Sequence, residues 1–525
     1  MNVIPNPRSA SLGAEGAYAL PEGKIAIDLG PFSQKSVQAF LDRTGLEASV
    51  GADISLSRSE EFAPEEYELT VSAEGVSVKA STDNGVVLAL TTLFQLSKDG
   101  QIPFSQVRDL PRYGHRGLSF DCARHFFDAN EVKRVIEQMS LVKMNTLHWH
   151  LTDDQAWRIE SKKHPELHLQ HNFEYFTQED IKSVVAFADS RGVEVIPEID
   201  MPGHMSALLS AHPDLSCSGK KVEPATCGGI YPVILCAGNE DVYALIAEIL
   251  DEICPLFPSG KFHVGGDEAP KREWEKCPRC QQKIKEEGLP DEKALQGYFT
   301  NRIIEVLKAK GKTPVCWNES LEAAALDKSS IIQYWMPTGA EATKNWASSG
   351  GKFIYSDMFT YYFDYPNSMS KLQRVYEEKL SLGDEDCSDN PGLLGIECCL
   401  WTEHIRENKG LEEKLFPRLY AAAEKMWGTN SDYQEFLERL RLFISRFHPA
   451  DMGLIPEESW NLTGEARLNE SLGFLAMMSQ SMSPEAKAEV STSIDPQTLQ
   501  RAFMEHFFEP ADMPFLMRVM QGLLG

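Results

Sequence analysis

From about residue 113 the chain alternates short strand-like runs with amphipathic helical stretches, and the alternation repeats eight times. The strand-like runs are residues 117–121, 145–151, 193–199, 261–266, 313–318, 331–335, 352–357 and 394–401. Strands that alternate with helices form parallel sheets, and eight such units can close into a cylinder. We therefore predict an α/β fold with a (β/α)8 TIM barrel over residues 113–455. The helix after the fifth run, ESLEAAAL, is short, so this unit is expected to be irregular.

The chain on either side of this segment lacks the alternation. Residues 67–82 show the period-2 pattern of a β-hairpin, and residues 83–96 are typical of a helix. We therefore predict a small α+β domain over residues 1–112. Residues 456–525 carry helical patterns with Ser or Asp at cap positions, which predicts a helical C-terminal extension.

Charge and hydropathy narrow the class of partner. The formal net charge of −27 over 525 residues argues against nucleic acid and anionic membrane surfaces, which bind through positive potential, and favours a neutral ligand. No run of about 18 apolar residues occurs, so we predict no membrane span. The first residues lack a secretory signal, which predicts a cytoplasmic protein as written, or a periplasmic or secreted one if a signal was trimmed. The sequence leaves a homo-oligomer open.

The chain has eleven cysteines, several of them inside apolar runs where they suit small buried side chains. Cys277 and Cys280 have CxxC spacing, but neither a second CxxC pair nor a histidine pair follows at zinc-finger distance. This spacing favours a reduced pair or a local disulfide over zinc.

His148 and His150 have the spacing that places two metal ligands on one strand face. A barrel hydrolase with such a metal site would need more histidines from later strands. Trp317 and Trp335 stand at the ends of two of those strands instead. We therefore predict neither a metal nor a cofactor.

Two adjacent carboxylates, Asp267 and Glu268, follow two glycines at the end of the fourth run, in HVGGDEAP. Because like charges in contact repel, one of the two is expected to hold its proton near neutral pH unless another group compensates. Barrel active sites lie at the C-terminal ends of the strands, which is where this pair falls. The pair is therefore the strongest candidate for the site.

Other predicted strand ends also carry polar side chains. They are Asp121, Arg124, His125, His148, His150, Asp153, Asp154, Glu198, Asp200, His204 and Glu403, and Arg116 enters the first strand. Each alone could be a salt-bridge partner or a capped turn, but their convergence on one face indicates a site.

Three tryptophans, Trp317, Trp335 and Trp401, stand at strand ends where aliphatic residues are more usual. Together they predict an aromatic box that suits the apolar face of a sugar ring or a methyl group. Tyr362 could add a hydroxyl donor to this box.

Ordered motifs along the chain resemble the β-N-acetylhexosaminidases of glycoside hydrolase family 20. They are RGLSFDCARHFF, LHWHLTDDQAWRIE, VIPEIDMPGH, FHVGGDEA, WNE, QYW, TYYFDY and LWTEH, and YELTV to TLFQL is similar to the family's N-terminal domain. The resemblance spans about residues 1–455 and implies a barrel enzyme without a cofactor.

The resemblance also implies a role for each matching residue. Glu268 would be the general acid/base, Asp267 would orient the substrate's acetamido group, and Tyr362, with Asp364 close by, would bind the acetamido oxygen. The other implied contacts are Trp317, Trp335 and Trp401 around the acetamido methyl, Arg116, Asp153 and Glu403 at the sugar hydroxyls, and His204 beside the acid/base.

The implied activity is exo-hydrolysis of terminal β-linked N-acetylglucosamine or N-acetylgalactosamine from an oligosaccharide. It would retain the anomeric configuration and pass through an oxazolinium formed by the substrate's own acetamido oxygen. One alternative is a barrel glycosidase with its own nucleophile, Glu198 or Glu403. The other is a non-catalytic sugar-binding barrel, against which the intact Asp267 and Glu268 pair argues.

Overall fold

The computed structural model describes residues 1–323, 325–429, 431–484 and 507. The N-terminal part forms a six-stranded sheet with the order β1-β6-β4-β5-β3-β2. Its elements are β1 (Ser9–Ala19), β2 (Lys24–Asp28), α1 (Lys35–Thr44), β3 (Glu47–Arg58), β4 (Tyr67–Ser72), β5 (Gly75–Ala80), α2 (Asp83–Leu96) and β6 (Gln101–Asp109). The predicted hairpin and helix are β4, β5 and α2. Their apolar residues form a core with those of α1, as expected for a small α+β domain.

The eight predicted barrel strands all form, and they close into a parallel barrel. In chain order they are β7 (His115–Asp121), β8 (Thr146–His150), β9 (Glu194–Glu198), β10 (Lys261–His263), β11 (Thr313–Trp317), β12 (Ile331–Tyr334), β13 (Lys352–Tyr355) and, after the two-residue strands β14 (Ser381–Leu382) and β15 (Glu385–Asp386), β16 (Leu393–Leu400). Strand β16 pairs with β7 and closes the cylinder. The predicted TIM barrel is confirmed.

Helices surround this barrel and continue beyond it. They are α3 (Ala129–Leu141), α4 (Glu166–Leu169), α5 (Gln178–Ser190), α6 (Ser206–Ala211), α7 (Glu240–Ile253), α8 (Arg272–Lys276), α9 (Pro278–Glu286), α10 (Glu292–Ala309), α11 (Ala340–Ser348), α12 (Leu372–Glu377), α13 (Asn408–Leu415), α14 (Arg418–Trp427), α15 (Tyr433–Phe447) and α16 (Gly464–Ser481). Among the described residues between β11 and β12, a 3-10 turn, Asn318–Glu322, takes the place of a helix, as the short ESLEAAAL segment predicts.

The predicted C-terminal extension is helical where it is described, in α16. The helical patterns predicted at 485–506 and 508–525 lie outside the described residues. The domain limits at 112 and 455 stay predictions. No helix among the described residues has the length and apolar character needed to cross a bilayer.

Charged residues join the small domain to the N-terminal end of the barrel. Arg116, at the start of β7, donates from both terminal nitrogens to the Glu65 carboxylate, at 2.7 Å each. The ammonium of Lys143, which is buried just before β8, lies 3.0 Å from Asp109. Trp427 donates to the same Asp109 at 2.9 Å and packs into the core of the small domain.

The interior of the barrel beneath its C-terminal end is ionic. Glu397 lies 2.8 Å from His148 and 2.7 Å from His115. Glu198 is fully buried and contacts His150 and, at 2.9 Å, His263. The two buried carboxylates are stable here because imidazoles surround them. Burial alone would raise the pKa of Glu397 and Glu198, but the neighbouring histidines hold it well below the ordinary value. The histidine spacing noted in β8 therefore serves this network.

Candidate functional site

A cavity of about 210 Å³ opens at the C-terminal ends of the barrel strands. Polar side chains on its wall include Arg124, Asp267, Glu268, Asp364 and Glu403, and aromatic ones include Trp335, Tyr362, Tyr365 and Trp401. Residues Gly228–Ile230 and the α16 residues Phe474 and Met478 also line the wall. The volume is smaller than that of pockets for drug-sized ligands, about 300–1,000 Å³, and suits one small ring.

The two glycines before the acid pair are required by close contacts. Gly265 and Gly266 have φ values of +66° and +97°, in the region that favours glycine. A Cβ on Gly265 would lie 1.5 Å from Oδ1 of Asp200. The Gly266 N–H donates to that same oxygen at 2.9 Å. The glycines thus let the chain turn tightly against Asp200 and present the next two carboxylates to the cavity.

Burial raises the pKa of both Asp200 and Asp267. Burial, and repulsion from Asp267, raise the pKa of Asp200 well above its ordinary value, which favours the protonated form of Asp200. Burial also raises the pKa of Asp267, to about 6, although His204 opposes this rise. Asp267 is thus mainly an anion at pH 7, beside a third carboxyl, Asp200, that the sequence does not place next to it.

Glu268 lies beside a buried imidazole. Nε2 of His204 is 3.5 Å from the Glu268 carboxylate, and its Nδ1 is 3.1 Å from Oδ1 of Asp153. Burial lowers the pKa of His204, but the Asp153 charge and hydrogen bond outweigh this and raise it well above the ordinary value. The raised pKa favours the cationic form of His204 next to Glu268, where the family resemblance implies a histidine.

The arginine of the site is Arg124, and the prediction for Arg116 is wrong. Strand β7 runs from Arg116 toward the cavity, so Arg116 lies at the opposite end of the barrel. Its two terminal nitrogens donate to the Glu65 carboxylate there. Arg124 follows the end of this strand and lines the cavity. It contacts Asp153 at 2.8 Å and lies 5.0 Å above the Trp401 ring. The strand direction indicates Arg124, because only residues after a strand reach this face.

Asp153 also lies elsewhere than expected for a residue that binds sugar hydroxyls. Its side chain is buried behind the cavity wall, where Oδ1 contacts His204 and Oδ2 contacts Arg124 and, at 2.7 Å, His150. Asp153 thus orients two residues of the site, and both its oxygens are already engaged.

Three of the four predicted aromatic residues line the cavity together. Trp335 and Tyr362 stack with ring centroids 5.9 Å apart and an interplanar angle of 12°, and Tyr362 lies 6.2 Å from Trp401. Trp317 lies one layer deeper, with 1% exposure, 5.9 Å from Trp401. Its Nε1 donates to Glu198 at 3.0 Å. Trp317 therefore forms the floor beneath the cavity and covers Glu198.

Asp364 and Glu403 line the same cavity as the acid pair. Burial and the Glu403 charge raise the pKa of Asp364 to about 7, while Lys414 opposes the rise. Gly228 packs closely on Glu403, because a Cβ there would lie 2.9 Å from the Glu403 Cγ. Gly228 and Glu403 are thus neighbours on the cavity wall.

Sequence reasoning missed two other contributors. Glu319 is buried and accepts a hydrogen bond from Trp335 Nε1 at 2.8 Å; burial and the charge of Asp267 raise its pKa well above the ordinary value. Its position in WNE, after the fifth strand, is the signal that could have found it. Phe474 of α16 packs 5.6 Å from Tyr365, and no sequence signal links that helix to the site.

Comparisons with known proteins agree with this geometry. Residues 113–430 match the catalytic domain of glycosyl hydrolase family 20, and residues 1–110 match domain 2 of that family. The chain is 32% identical over 424 residues to a beta-hexosaminidase of Porphyromonas gingivalis. The aligned region covers 74% of this chain and 54% of that protein. It is 30% identical over 473 residues to a beta-hexosaminidase of Akkermansia muciniphila, which covers 82% of this chain and 95% of that one.

Solved structures give the same result. The β-N-acetylhexosaminidase of Bacteroides fragilis superposes with a TM-score of 0.78 at 29% identity, covering 86% of this chain and 97% of that one. The exo β-N-acetylglucosaminidase of Vibrio harveyi in complex with N-acetylglucosamine gives 0.75 at 28% identity, covering 85% and 76%. With its barrel, its small domain and its acid pair in the family's order, the chain belongs to glycosyl hydrolase family 20.

Proposed function

We propose that the protein removes terminal, non-reducing β-linked N-acetylglucosamine or N-acetylgalactosamine by a retaining, substrate-assisted reaction. The observation that carries this proposal is the joint placement of Asp267, Glu268 and Tyr362 against an aromatic wall in a cavity sized for one ring. The Vibrio harveyi relative is an exo-enzyme that binds N-acetylglucosamine, which supports the same substrate class.

The acetamido group of the substrate would be held by Asp267 and Tyr362. Asp267 accepts the acetamido N–H and directs the acetamido oxygen at the anomeric carbon. Burial raises the pKa of Tyr362 well above its ordinary value, so its phenol keeps the proton and donates to that oxygen. As the oxazolinium ring forms, the Asp267 charge stabilises its positive charge, and Trp335 and Trp401 surround the methyl group.

Glu268 would transfer the proton in both steps. It protonates the glycosidic oxygen as the bond to the anomeric carbon breaks, and it then accepts a proton from the water that opens the oxazolinium. Both displacements occur at the same carbon, so the β configuration is retained. The cationic His204, 3.5 Å away, stabilises the carboxylate that exists between the two steps.

Arg124, Asp364 and Glu403 would bind the hydroxyls of the sugar ring. They lie together on the cavity wall, where charged groups offer strong hydrogen bonds to hydroxyls. Asp153 fixes the arginine from behind, at 2.8 Å. A cavity closed by these groups accepts the end of a glycan, which accounts for exo action.

A panel of aryl β-glycosides tests the function. We expect release from the N-acetylglucosaminide, the N-acetylgalactosaminide or both, and negligible release from the β-glucoside, which has no acetamido oxygen to attack the anomeric carbon. Proton NMR of the first-formed sugar should show the β anomer. Rapid cleavage of the glucoside, or a covalent glycosyl-enzyme trapped on Glu403 with a fluorinated sugar, would establish an enzyme nucleophile. Binding without turnover would establish the sugar-binding alternative.

The acid limb of the pH profile should follow Asp267. Because burial raises the pKa of Asp267 to about 6 and only the anion accepts the acetamido N–H, kcat/KM should fall as pH falls through about 6. Asp267→Asn should lack this limb when an activated aryl substrate is used. Asp364→Asn is the matched control, because it removes the other raised carboxyl of the cavity and should keep the limb. A limb lost in Asp364→Asn and kept in Asp267→Asn would contradict the assignment.

A further inference from the structure

Four cysteines come together beside the two loops that form the site. Cys217 and Cys236 lie in the loop between β9 and α7, and Cys277 and Cys280 lie in the segment after β10, at the start of α9. We call these four residues the cysteine cluster. Their four sulfur atoms all lie within 4.8 Å of one another. Three of the four residues are buried and Cys217 is half-buried.

The spacing of the sulfurs suits one tetrahedral ion. The Cys236 sulfur is 3.6 Å from that of Cys280 and 3.7 Å from that of Cys277, and Cys217 is 3.7 Å from Cys280. A zinc–sulfur bond of about 2.3 Å places the corners of a regular tetrahedron about 3.8 Å apart. The disulfide bond length is about 2.05 Å, and all four thiols are free. The local disulfide predicted as one alternative for Cys277 and Cys280 is therefore absent.

The backbone around the cluster is built to hold it. Ser216 and Leu235, which precede Cys217 and Cys236, form an antiparallel bridge. Gly238 contacts the CPRC turn so closely that a Cβ would lie 2.3 Å from the Arg279 carbonyl carbon. The Arg279 side chain donates to the Ser216 carbonyl at 2.8 Å, which ties the CPRC turn to the residue before Cys217.

We propose that the cysteine cluster binds one structural zinc ion through four thiolates. Each thiol loses a proton to solvent as the zinc–sulfur bonds form, and no oxidant or reductant is involved. Four thiolates around Zn²⁺ leave a net charge of −2, which the adjacent Arg279 offsets. Since four protein ligands fill the tetrahedron, the ion has no open position for a water or a substrate, and its role is structural.

The zinc ion would link the loop that lines the cavity to the loop that carries the acid pair. Gly228, Gly229 and Ile230 lie on the cavity wall, in the segment between Cys217 and Cys236. Cys277 and Cys280 follow Glu268 in the next loop. Zinc binding therefore fixes one side of the sugar site relative to its acid/base.

Metal analysis of the full chain, purified without chelators, tests this proposal. We expect one zinc per chain by inductively coupled plasma mass spectrometry. Cys236→Ser and Cys280→Ser should reduce this content to background. Cys227→Ser is the matched control, because Cys227 lies in the same loop, outside the cluster, and its variant should keep the zinc.

Cobalt substitution gives a readout that a folding defect in a variant cannot imitate. The wild-type chain loaded with Co²⁺ should show the thiolate charge-transfer and d–d bands of tetrahedral sulfur coordination, and removal of the metal should lower Tm. Wild-type protein without metal, with four free or disulfide-bonded cysteines by intact mass, would overturn the proposal. So would one bound iron in place of zinc, or zinc content unchanged in both cluster variants.

Discussion

Replacing Glu268 with Gln is expected to slow the hydrolysis of substrates with poor leaving groups by about 10²–10⁴-fold, because the glycosidic oxygen loses its proton donor. An aryl leaving group departs as a stable anion, so its first step should slow much less. Asp267→Asn should slow both kinds of substrate alike, since the acetamido group must be oriented whatever the leaving group. Steady-state kinetics with alkyl and aryl N-acetylglucosaminides measure the difference.

The structure supplies a control for this pair of variants. Asp200→Asn places a neutral group next to Asp267, and the raised pKa of Asp200 already favours its neutral form. It should therefore cost far less activity than Asp267→Asn. Equal dependence on the leaving group in Glu268→Gln and Asp267→Asn would show that the two carboxylates do not divide the roles proposed here.

Arg124→Ala and Arg116→Ala should fail in opposite ways, although the two arginines stand in one motif. Arg124→Ala should lower kcat/KM by about 10²-fold or more, because a hydrogen bond from a charged group is worth about 1.5–3 kcal/mol and this arginine also supports Asp153. Arg116→Ala should lower the free energy of unfolding by about 3 kcal/mol, since it leaves Glu65 without its cation. Its kcat/KM should stay near that of the wild type.

Aryl-glycoside kinetics and denaturant unfolding on both variants measure these effects. Arg116→Gln is a second control that keeps part of the packing of the side chain. A large loss of kcat/KM in folded Arg116→Ala, with Arg124→Ala near wild type, would restore the assignment made from the motif alone.

The fold could be predicted from the sequence because its signals are local. The strands of a barrel are buried on both faces, so they form largely apolar runs such as IIQYW, and cap residues such as Asp128 mark where helices begin. The short segment after β11 likewise predicts the missing helix there. Each of these features depends on neighbours within a few residues.

Site residues could be predicted only where their position along a strand determines whether they reach the cavity. Asp267, Glu268 and Trp401 follow strand ends, but Arg116 precedes one, and a motif carries no strand direction. The raised pKa of Asp200 depends on burial and on a carboxyl that follows another strand, Asp267. The partners of Cys277 are single cysteines far along the chain, so no spacing rule finds them. The contribution of α16 depends on how a helix folds back over the barrel.

The ion pairs between the small domain and the barrel affect whether the barrel can be stable as an independent domain. Arg116 and Lys143 take their counter-ions, Glu65 and Asp109, from the small domain, and Trp427 lies against both cations, 5.2 Å and 4.5 Å from them. A barrel cut free at residue 112 would keep two cations at its base without the carboxylates that pair with them. A different small domain fused to this barrel would therefore need carboxylates at the places of Glu65 and Asp109.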